Sequence, residues 1–541
     1  MINLRALSVL VFCAVSAEAD QQHSKPASFL QPAIVPLINE MESAPKFWRD
    51  KAQNFLKSAL NEKQNLNKAK NVIFFIGDGM SFPTVSATRM HMGKEENELS
   101  FEKFPHFGFA KTYCTDAQVP DSACTATAYL GGVKTNRKTI GVNANVKVSQ
   151  CEVNDEDFVD SIAKWAQEAS KATGIVTTTR ITHASPAGIY AHTSHRDWET
   201  IAAIPASCRN ATKNAVLDIA QQFVTNEVSK NLKVVFGGGR KNFIPTTEVD
   251  EEGRPGLRTD GRNLIDEWMK QTSTKGNAKY IWHKQQLDEL DIEGSDYLLG
   301  LFESDHCMFQ LDIENNNLQR QEPSLTDMTA AAIKILQKEE KGFFLFVEGG
   351  RIDMAHHENQ PHRAFEDTKE FARAIDVARK MTSIADTLIV VSSDHSHSFS
   401  FGVETERGHN VLGIAGISDK DGKPYESLGY ANGPGYPSTY SGVNLERVDI
   451  SKQDLKNPDR RSSATVPLDS ETHGAEDVGV YASGPWSHLF EGTYEQNNIP
   501  MLIAYAAKIG DYDEDKNKNS SGIKTLSLIV IILMNIVIIL T

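Results

Sequence analysis

The sequence predicts an α/β fold in which a central, mostly parallel sheet is flanked by helices. Short apolar runs of strand length recur along the 541-residue chain, and stretches of helix length separate them. Strands that alternate with helices are typical of parallel sheets, in which ligands bind beyond the carboxyl ends of the strands. The clearest runs are residues 71–76, 174–179, 343–347 and 387–392, and polar or charged residues follow each of them.

The run at residues 343–347 leads into the most informative segment of the chain. Glu348 follows this run directly, and Asp353 and His357 come after two glycines. If that segment is helical, Asp353 and His357 lie four apart on one face, where they could bind one zinc ion. The alternative is the solvated start of a surface helix. The other runs are followed by Asp78; by His183 and Ser185; and by Asp394, His395 and His397.

A serine stands where a helix of small residues is predicted to begin, in Pro120-Asp121-Ser122-Ala123. A helix N-terminus favours negative charge and offers free N–H groups to an anion. Ser122 is therefore either a nucleophile or a residue that only caps the helix, and this segment alone favours neither.

The composition fits a globular protein that does not bind nucleic acid nonspecifically. Hydrophobic residues make up 40% of the chain, and the formal net charge is −15. Nonspecific nucleic-acid binding needs a basic face, whereas metal ions could supply positive charge for an anionic substrate.

Both ends of the chain are typical of processing signals. Residues 1–19 have the basic start, apolar centre and small-residue end of a secretory signal peptide. Residues 523–541 predict a removed GPI signal, because the largely apolar residues 526–540 end the chain. A true single-pass tail anchor is the alternative. We therefore expect the extracellular face of the cell membrane, with Asn519, Ser520 and Ser521 as candidate attachment residues.

The mature chain divides into an arm, a catalytic unit and an insertion. Residues 20–70 form an N-terminal arm with an amphipathic helix over residues 39–61, and residues 71–407 and 466–510 form the catalytic α/β domain. Residues 408–465, rich in Gly, Pro, Ser, Tyr and Asn, predict a small inserted subdomain over the site. Residues 511–522 are a polar linker, and residues 242–291 are expected to be an irregular surface insertion.

The cysteines that remain after signal removal permit two disulfides and one free thiol at most. Asn210 begins an acceptor sequence for N-glycosylation. These cysteines are Cys114, Cys124, Cys151, Cys208 and Cys307.

Six motifs in order resemble those of the zinc-dependent alkaline phosphatases, and the animal membrane-bound branch most closely. The resemblance covers nearly the whole mature chain, from about residue 48 to residue 507. The motifs are Ile76-Gly-Asp78-Gly-Met80, Pro120-Asp121-Ser122-Ala123, His183-Ala-Ser185-Pro-Ala-Gly188, Val347-Glu348-Gly-Gly-Arg351-Ile-Asp353, Asp394-His395-Ser-His397 and Glu471-Thr-His473-Gly474.

The resemblance implies two zinc ions and one magnesium ion in each subunit of a homodimer. Ser122 would attack phosphorus to form a phosphoserine, and the guanidinium fork of Arg196 would bind two phosphate oxygens. The implied ligands are Asp353, His357 and His473 for the first zinc; Asp78, Asp394, His395 and Ser122 for the second; and Asp78, Ser185 and Glu348 for magnesium.

Three further positions are expected to lie beside the metal ligands. His397 would orient the site, His183 is of the animal type where bacterial relatives carry aspartate, and Met354 stands where relatives carry lysine or histidine. Because Met354 cannot donate a hydrogen bond, we expect altered phosphate affinity. His356 and His409 are expected to be structural or at the surface.

The resemblance also implies a calcium-like site and one disulfide. Phe302, Glu303 and Glu322 match the calcium site, and its last ligand would lie within residues 248–252. Cys151 and Cys208 match the first bridge of the family, and the partners of its second bridge, near the C-terminus, are absent.

The sequence thus predicts a GPI-anchored alkaline phosphatase with broad specificity for phosphate monoesters and an alkaline optimum. A phosphodiesterase or sulfatase of the same fold is one alternative, although those enzymes use threonine or a modified cysteine as the nucleophile. The other alternative is a surface receptor. Such a receptor either has a vestigial catalytic site or binds a partner in addition to catalysis. Partner binding by a Ser122→Ala protein would separate binding from catalysis.

Overall fold

The computed structural model describes residues 40–209, 216–318 and 321–513. The predicted signal peptide, the acceptor Asn210, and the anchor candidates Asn519, Ser520 and Ser521 lie outside the described residues. Within the three described ranges, no helix is long and apolar enough to cross a membrane.

A ten-stranded sheet forms the centre of the molecule and confirms the predicted α/β class. Its order is β19-β2-β18-β8-β1-β7-β3-β4-β6-β5, and every strand runs in one direction except β18, which is antiparallel to β2 and β8. The strands of this sheet and of the smaller sheets are β1 Asn71–Gly77, β2 His106–Lys111, β3 Ala172–Arg180, β4 Val234–Gly238, β5 Ala278–Ile281, β6 Tyr297–Leu301, β7 Phe343–Gly349, β8 Thr387–Ser392, β9 Ser396–His397, β10 Phe399–Phe401, β11 Ile414–Ile417, β12 Pro424–Glu426, β13 Leu428–Gly433, β14 Tyr440–Ser441, β15 Glu446–Arg447, β16 Ala464–Pro467, β17 His473–Gly474, β18 Val478–Ser483 and β19 Gly492–Glu495.

The three central strands β8, β1 and β7 are buried on both faces, which explains their continuous apolar sequences. Side chains of a strand alternate between the two faces of a sheet. Phe74 accordingly packs in the core on one face, and Phe75 packs in the core on the other.

Helices cover both faces of the sheet. Ser122–Gly131 and Ile499–Ala507 contribute to one core, whereas Leu325–Leu336 and Pro361–Met381 contribute to the other. The α-helices are Pro45–Asn61, Phe82–His91, Ser122–Gly131, Ile162–Glu168, Ala184–Ala187, Ala206–Arg209, Ile219–Thr225, Glu227–Lys230, Leu264–Thr272, Lys284–Asp288, Gln310–Asn315, Leu325–Leu336, Arg351–His357, Pro361–Met381, Tyr436–Thr439 and Ile499–Ala507.

The segment at residues 242–291 is more regular than the sequence suggested. It contains the helix Leu264–Thr272 and the strand β5, which forms one edge of the main sheet. The expectation of an irregular surface insertion was therefore wrong. The strand was missed because four residues give too short a pattern to recognise among charged neighbours.

The region at residues 408–465 carries short strands that form separate small sheets. β13 pairs with β10 and with β16, β11 pairs with β12, and β14 pairs with β15. The division of the chain into domains remains a prediction.

Two disulfides form among the described cysteines, Cys114–Cys124 and Cys151–Cys208. The second is the bridge that the sequence resemblance implied, and the first anchors the helix Ser122–Gly131 to the preceding loop. Cys307 is a buried free thiol.

Candidate active site

The register of the central strands brings the polar strand ends together. Ile76 of β1 lies beside Glu348 of β7 and beside Ser392 of β8. Asp78 and Asp394, each two residues beyond, therefore meet Glu348 at the same edge of the sheet. All three carboxylates are fully buried, which is costly for charged groups that have no counter-charge.

A first cluster of possible metal ligands contains Asp353, His357, His397 and His473. The Nε2 atoms of His357 and His473 lie 3.3 and 3.4 Å from Asp353 Oδ1. Asp353 and His357 share one face of the helix Arg351–His357, as the sequence predicted. His473 reaches the cluster because β17 pairs with β9.

Two of these imidazoles are held by backbone carbonyl oxygens. His357 Nδ1 lies 2.6 Å from the oxygen of Glu471, and His473 Nδ1 lies 2.8 Å from the oxygen of Pro120. If each Nδ1 donates to its carbonyl, each Nε2 presents a lone pair toward Asp353. Metal-binding histidines are commonly oriented in this way.

His397 differs from its neighbours because both of its ring nitrogens face carboxylates. Its Nε2 lies 2.8 Å from Asp353 Oδ1, and its Nδ1 lies 2.5 Å from Glu471 Oε2. Burial alone would lower the pKa of His397, but Glu471 and Asp353 together raise this pKa to about 10. The ring therefore links the two carboxylates.

A second cluster contains Asp78, Asp394 and His395. His395 Nε2 lies 3.2 Å from Asp394 Oδ2 and 3.5 Å from Asp78 Oδ1. Burial, followed by the charges of Asp394, Asp353 and Glu348, raises the pKa of Asp78 well above its usual range. A bound cation would relieve this repulsion.

Ser122 lies at the second cluster. Its Oγ is 3.3 Å from His395 Nε2 and 3.5 Å from Asp78 Oδ2. The helix Ser122–Gly131 is capped by Asp121, whose carboxylate accepts from the N–H of Cys124. Ser122 is therefore the first residue of the helix and not its cap, so its hydroxyl is free of the capping role.

Arg196 stands beside the nucleophile candidate. Its Nη1 donates to Asp121 Oδ2 at 3.0 Å, and its Nη2 lies 2.9 Å from His183 Nε2. Burial alone would lower the pKa of Arg196, but Asp121 raises it above its usual value. The guanidinium is thus cationic and is held by Asp121, the residue before Ser122.

A third cluster contains Asp78, His183 and Glu348. Thr177 and Thr179 hydroxyls donate to Glu348 Oε2, the latter at 3.1 Å. Burial raises the pKa of Glu348 to about 7.

Unpartnered atoms indicate where cations fit. Within the described part of the chain, several buried oxygens at the strand ends have no hydrogen-bond partner. A cation bound among them would satisfy these oxygens, and the donor sets suit divalent metals, because zinc accepts imidazole and carboxylate whereas magnesium prefers oxygen. The atoms are Asp78 Oδ1, Ser185 Oγ, Glu348 Oε1 and Asp394 Oδ2.

The residues of the expected calcium-like site are only partly gathered. Burial and the charge of Glu303 raise the pKa of Glu322. Asp250 and Glu252, within the range expected to supply the last ligand, instead pair with Arg240. Phe302 is buried at the end of β6.

Sequence reasoning missed several supporting residues. Glu471 belongs to one of the six motifs, but its role was not predicted: its side chain contacts His397 and its backbone oxygen contacts His357. Thr177 and Thr179 occur in the β3 run, where alternate positions of a strand share a face. That alternation could have indicated that both hydroxyls meet Glu348. Met354 Sδ lies 2.8 Å from Arg351 Nη1.

Comparisons with known proteins show the family of this chain. The family model for alkaline phosphatase matches residues 69–509. The chain is 45% identical over 501 residues to the tissue-nonspecific isozyme of Felis catus, an alignment that covers 90% of this chain and 93% of the relative. It is 46% identical over 483 residues to the membrane-bound alkaline phosphatase of Bombyx mori, covering 87% of this chain and 86% of the relative.

Solved structures show the same fold. The alkaline phosphatase of Thermus thermophilus superposes with a TM-score of 0.58 at 20% identity, covering 83% of this chain and 93% of that chain. The enzyme of the Antarctic bacterium TAB5 superposes with a TM-score of 0.55 at 22% identity, covering 82% and 100%.

The mostly parallel sheet between helices and the buried carboxylates and imidazoles at its strand ends are typical of α/β enzymes that use divalent metal ions. The chain belongs to the alkaline phosphatase family. It is a phosphoric monoester hydrolase, and the phosphodiesterase, sulfatase and receptor alternatives are not favoured.

Proposed function

We propose that this alkaline phosphatase works through a phosphoserine at Ser122, with broad specificity for monoesters and an alkaline optimum. One observation carries the proposal. Ser122 Oγ lies at a helix N-terminus within 3.5 Å of Asp78 and His395, two residues of the second ligand cluster. A phosphoryl group bound there would meet the positive end of the helix.

Ser122 Oγ would lose its proton to water and form a bond to phosphorus while the bond from phosphorus to the alcohol oxygen breaks, and the departing oxygen would take up a proton from water. Water would then attack the phosphoserine, so that the bond to Oγ breaks and inorganic phosphate leaves. The guanidinium of Arg196 would pair with the non-bridging oxygens in both steps, as phosphoryl transfer requires. Because these contacts involve only the phosphoryl group, many alcohols would serve as leaving groups.

We assign Zn²⁺ to Asp353, His357 and His473, and a second Zn²⁺ to Asp78, Asp394, His395 and Ser122. Mg²⁺ is assigned to Asp78, Ser185 and Glu348. When bound, these ions would supply Lewis acidity that lowers the pKa of a hydroxyl and stabilises developing negative charge on oxygen. A structure of a TAB5 alkaline phosphatase variant has Mg bound in its M3 site.

His397 and Glu471 would position the first cluster. The contact between His397 and Asp353 at 2.8 Å would keep one carboxylate orientation, and Glu471 would fix the ring from the other side. His183 would position Arg196 through its Nε2 contact.

Assembly and location form a further part of the proposal. The helix Pro45–Asn61 buries none of its residues in the chain, and Phe55 and Leu60 are 77% and 75% exposed. Leu56, which is 55% exposed, lies four residues before Leu60 on the same face, and exposed apolar side chains of this kind suit contact with a second copy in a homodimer. The silkworm relative is named membrane-bound, and the C-terminal pattern supports a GPI anchor on the extracellular face, reached through the secretory pathway.

The test is acid quenching of the purified enzyme during hydrolysis of a ³²P-labelled monoester, with metal analysis of the same sample. Label on Ser122, two zinc ions and one magnesium ion per subunit would support the proposal. Ser122→Ala is the matched control and should carry no label. Full activity of Ser122→Ala would exclude this nucleophile.

A further inference from the structure

We propose that His91, His362 and Glu366 form a binding site for a divalent transition-metal ion such as Zn²⁺, separate from the catalytic centre and structural in role. His91 ends the helix Phe82–His91, and the other two residues lie in the first turns of Pro361–Met381. One ligand atom from each lies within 4.8 Å of those of the other two.

The spacing and the donor set suit zinc. His362 and Glu366 are four residues apart on one helical face, which is the spacing that brings Asp353 and His357 together in the catalytic centre. His91 Nε2 lies 2.8 Å from Glu366 Oε1, and the ring centroids of His91 and His362 are 5.2 Å apart. Two imidazoles and one carboxylate form a common ligand set for zinc.

The orientation of His362 is a second observation. Its Nδ1 lies 2.8 Å from the backbone oxygen of Lys456, so the N–H on Nδ1 donates to that carbonyl. The lone pair is then on Nε2, the nitrogen left for a metal. A carbonyl behind the ring is the usual support of a metal-binding histidine.

An adjoining cavity of about 310 Å³ offers room for a further ligand. His91, His362 and His409 line this cavity together with Lys456. Among the residues that the structure describes, His409 Nε2 is a buried nitrogen without a hydrogen-bond partner. Structural zinc sites usually have four protein ligands, so His409 is the candidate for the fourth.

An ion here would join two helices directly and a third part of the fold through the Lys456 carbonyl behind His362. His91 follows the first strand and its loop, the helix Pro361–Met381 packs under the sheet, and Lys456 belongs to the Gly- and Pro-rich region at residues 408–465. The proposed site would therefore fasten that region to the catalytic domain, and its loss should lower thermal stability without removing a catalytic group.

A simple ion-pair network is the competing explanation. Lys369 Nζ donates to Glu366 at 2.9 and 2.7 Å, so Glu366 already has one cationic neighbour. The two explanations differ for Lys369→Met. Removal of the ammonium leaves the negative charge of Glu366 without its lysine partner, so the metal site predicts tighter zinc binding. An ion-pair network alone predicts no zinc at this place.

The experiment uses the holoenzyme with its catalytic sites saturated by zinc and magnesium. Equilibrium dialysis against zinc, followed by elemental analysis, counts the ions in wild type, His362→Gln and Lys369→Met. The control is His283→Asn, which removes an imidazole where His283 caps the helix Lys284–Asp288 and leaves a good capping residue.

We expect His362→Gln to bind one zinc ion fewer than wild type and the control, with unchanged kcat and loss of the zinc-dependent rise in Tm. Lys369→Met should bind the extra ion more tightly. Equal zinc counts in wild type and His362→Gln would overturn the proposal, as would loss of kcat together with the ion. If His362→Gln does not fold, equal zinc affinity of wild type and Lys369→Met would overturn it.

Discussion

The catalytic centre and the His91–His362–Glu366 cluster use the same kinds of side chain but balance their charges differently. In the catalytic centre, burial and neighbouring carboxylates raise the pKa of Asp78. At the outer cluster, burial alone would raise the pKa of Glu366, but His91 and Lys369 lower it to about 2. The catalytic centre thus needs cations from outside the chain. Glu366 of the outer cluster already has a cationic partner from the chain itself, Lys369.

The same types of ligand can therefore serve different purposes in the two regions. Several carboxylates packed at strand ends cannot all be charged at neutral pH without metal ions. Their conformation and their chemistry are therefore both coupled to metal binding. Glu366 can stay charged beside Lys369, so an ion there adds stability but is not required for the reaction.

The largest expected difference between the two regions is in catalysis. His473→Ala removes an imidazole that faces Asp353 at 3.4 Å, and we expect kcat to fall by at least about 10²–10³-fold, the usual loss when one stabilising electrostatic contact is removed. The matched change His91→Ala should leave kcat unchanged. Steady-state kinetics at saturating zinc and magnesium measures both, and equal effects of the two variants would contradict the distinction.

Metal removal should make stability depend on pH. Glu348 has a pKa of about 7 in the metal-free folded chain, against a usual value of 4.5. Because the folded chain holds this proton more tightly than the unfolded chain, the raised pKa adds to the free energy of unfolding. This contribution is fully present below about pH 4.5 and is lost as the pH rises to about 7. At 1.36 kcal/mol per pKa unit, the loss is on the order of 3 kcal/mol.

Thermal unfolding of the chelated protein should therefore show Tm falling between about pH 4.5 and 7, and the metal-loaded protein should fall much less. Glu348→Gln, which has no titrating carboxyl at this position, is the control for the chelated form. A chelated wild type whose Tm follows that of Glu348→Gln across this range would show that Glu348 does not carry the effect.

Much of the fold could be predicted because the central strands are buried on both faces. Continuous apolar runs such as residues 343–347 are recognisable without any knowledge of their neighbours. Strand order is different, since it depends on contacts between distant segments. The meeting of Asp78, Glu348 and Asp394 was expected because parallel strands end at one edge of the sheet and because the family resemblance implied shared metal ions.

The supporting contacts could not be predicted in the same way. Glu471 and His397 are 74 residues apart in the chain, and they meet because β17 pairs with β9, two strands of two residues each. Such short strands leave no periodic pattern. The edge strand β5 was missed for a similar reason. The sequence also could not decide whether Asp121 or Ser122 caps the helix, because the two possible helix starts differ by one residue.

Replacement of His397 tests the support of the catalytic cluster. His397→Gln loses the double contact to Asp353 and Glu471, and residues behind a metal ligand typically change metal affinity by about 10–100-fold. We expect activity to fall at limiting zinc and to recover largely at excess zinc. A pure packing defect would not be rescued by zinc, so kcat against zinc concentration separates the two explanations. Glu471→Gln should behave in the same way.

The smallest expected effect concerns Met354, which follows Asp353 in the chain. Its Sδ faces Arg351 Nη1 at 2.8 Å, and methionine has no hydrogen-bond donor. Met354→His adds a donor beside the proposed zinc ligand Asp353. If this donor reaches a bound phosphate, the hydrogen bond to a charged group contributes roughly 1.5–3 kcal/mol at best. We expect inorganic phosphate to bind about tenfold more tightly, because part of this energy is offset by losing the contact with Arg351.

The measurement is the phosphate inhibition constant of wild type and Met354→His across the alkaline range, with Met354→Leu as a control that keeps the volume without a donor. If phosphate release limits turnover, tighter binding should also lower kcat of the histidine variant, and Met354→Leu should resemble wild type in both quantities. Equal inhibition constants for wild type and Met354→His throughout would mean that residue 354 does not reach the phosphate. Its side chain would then act only by packing against Arg351, whose guanidinium lies 3.7 Å from the ring of Phe309.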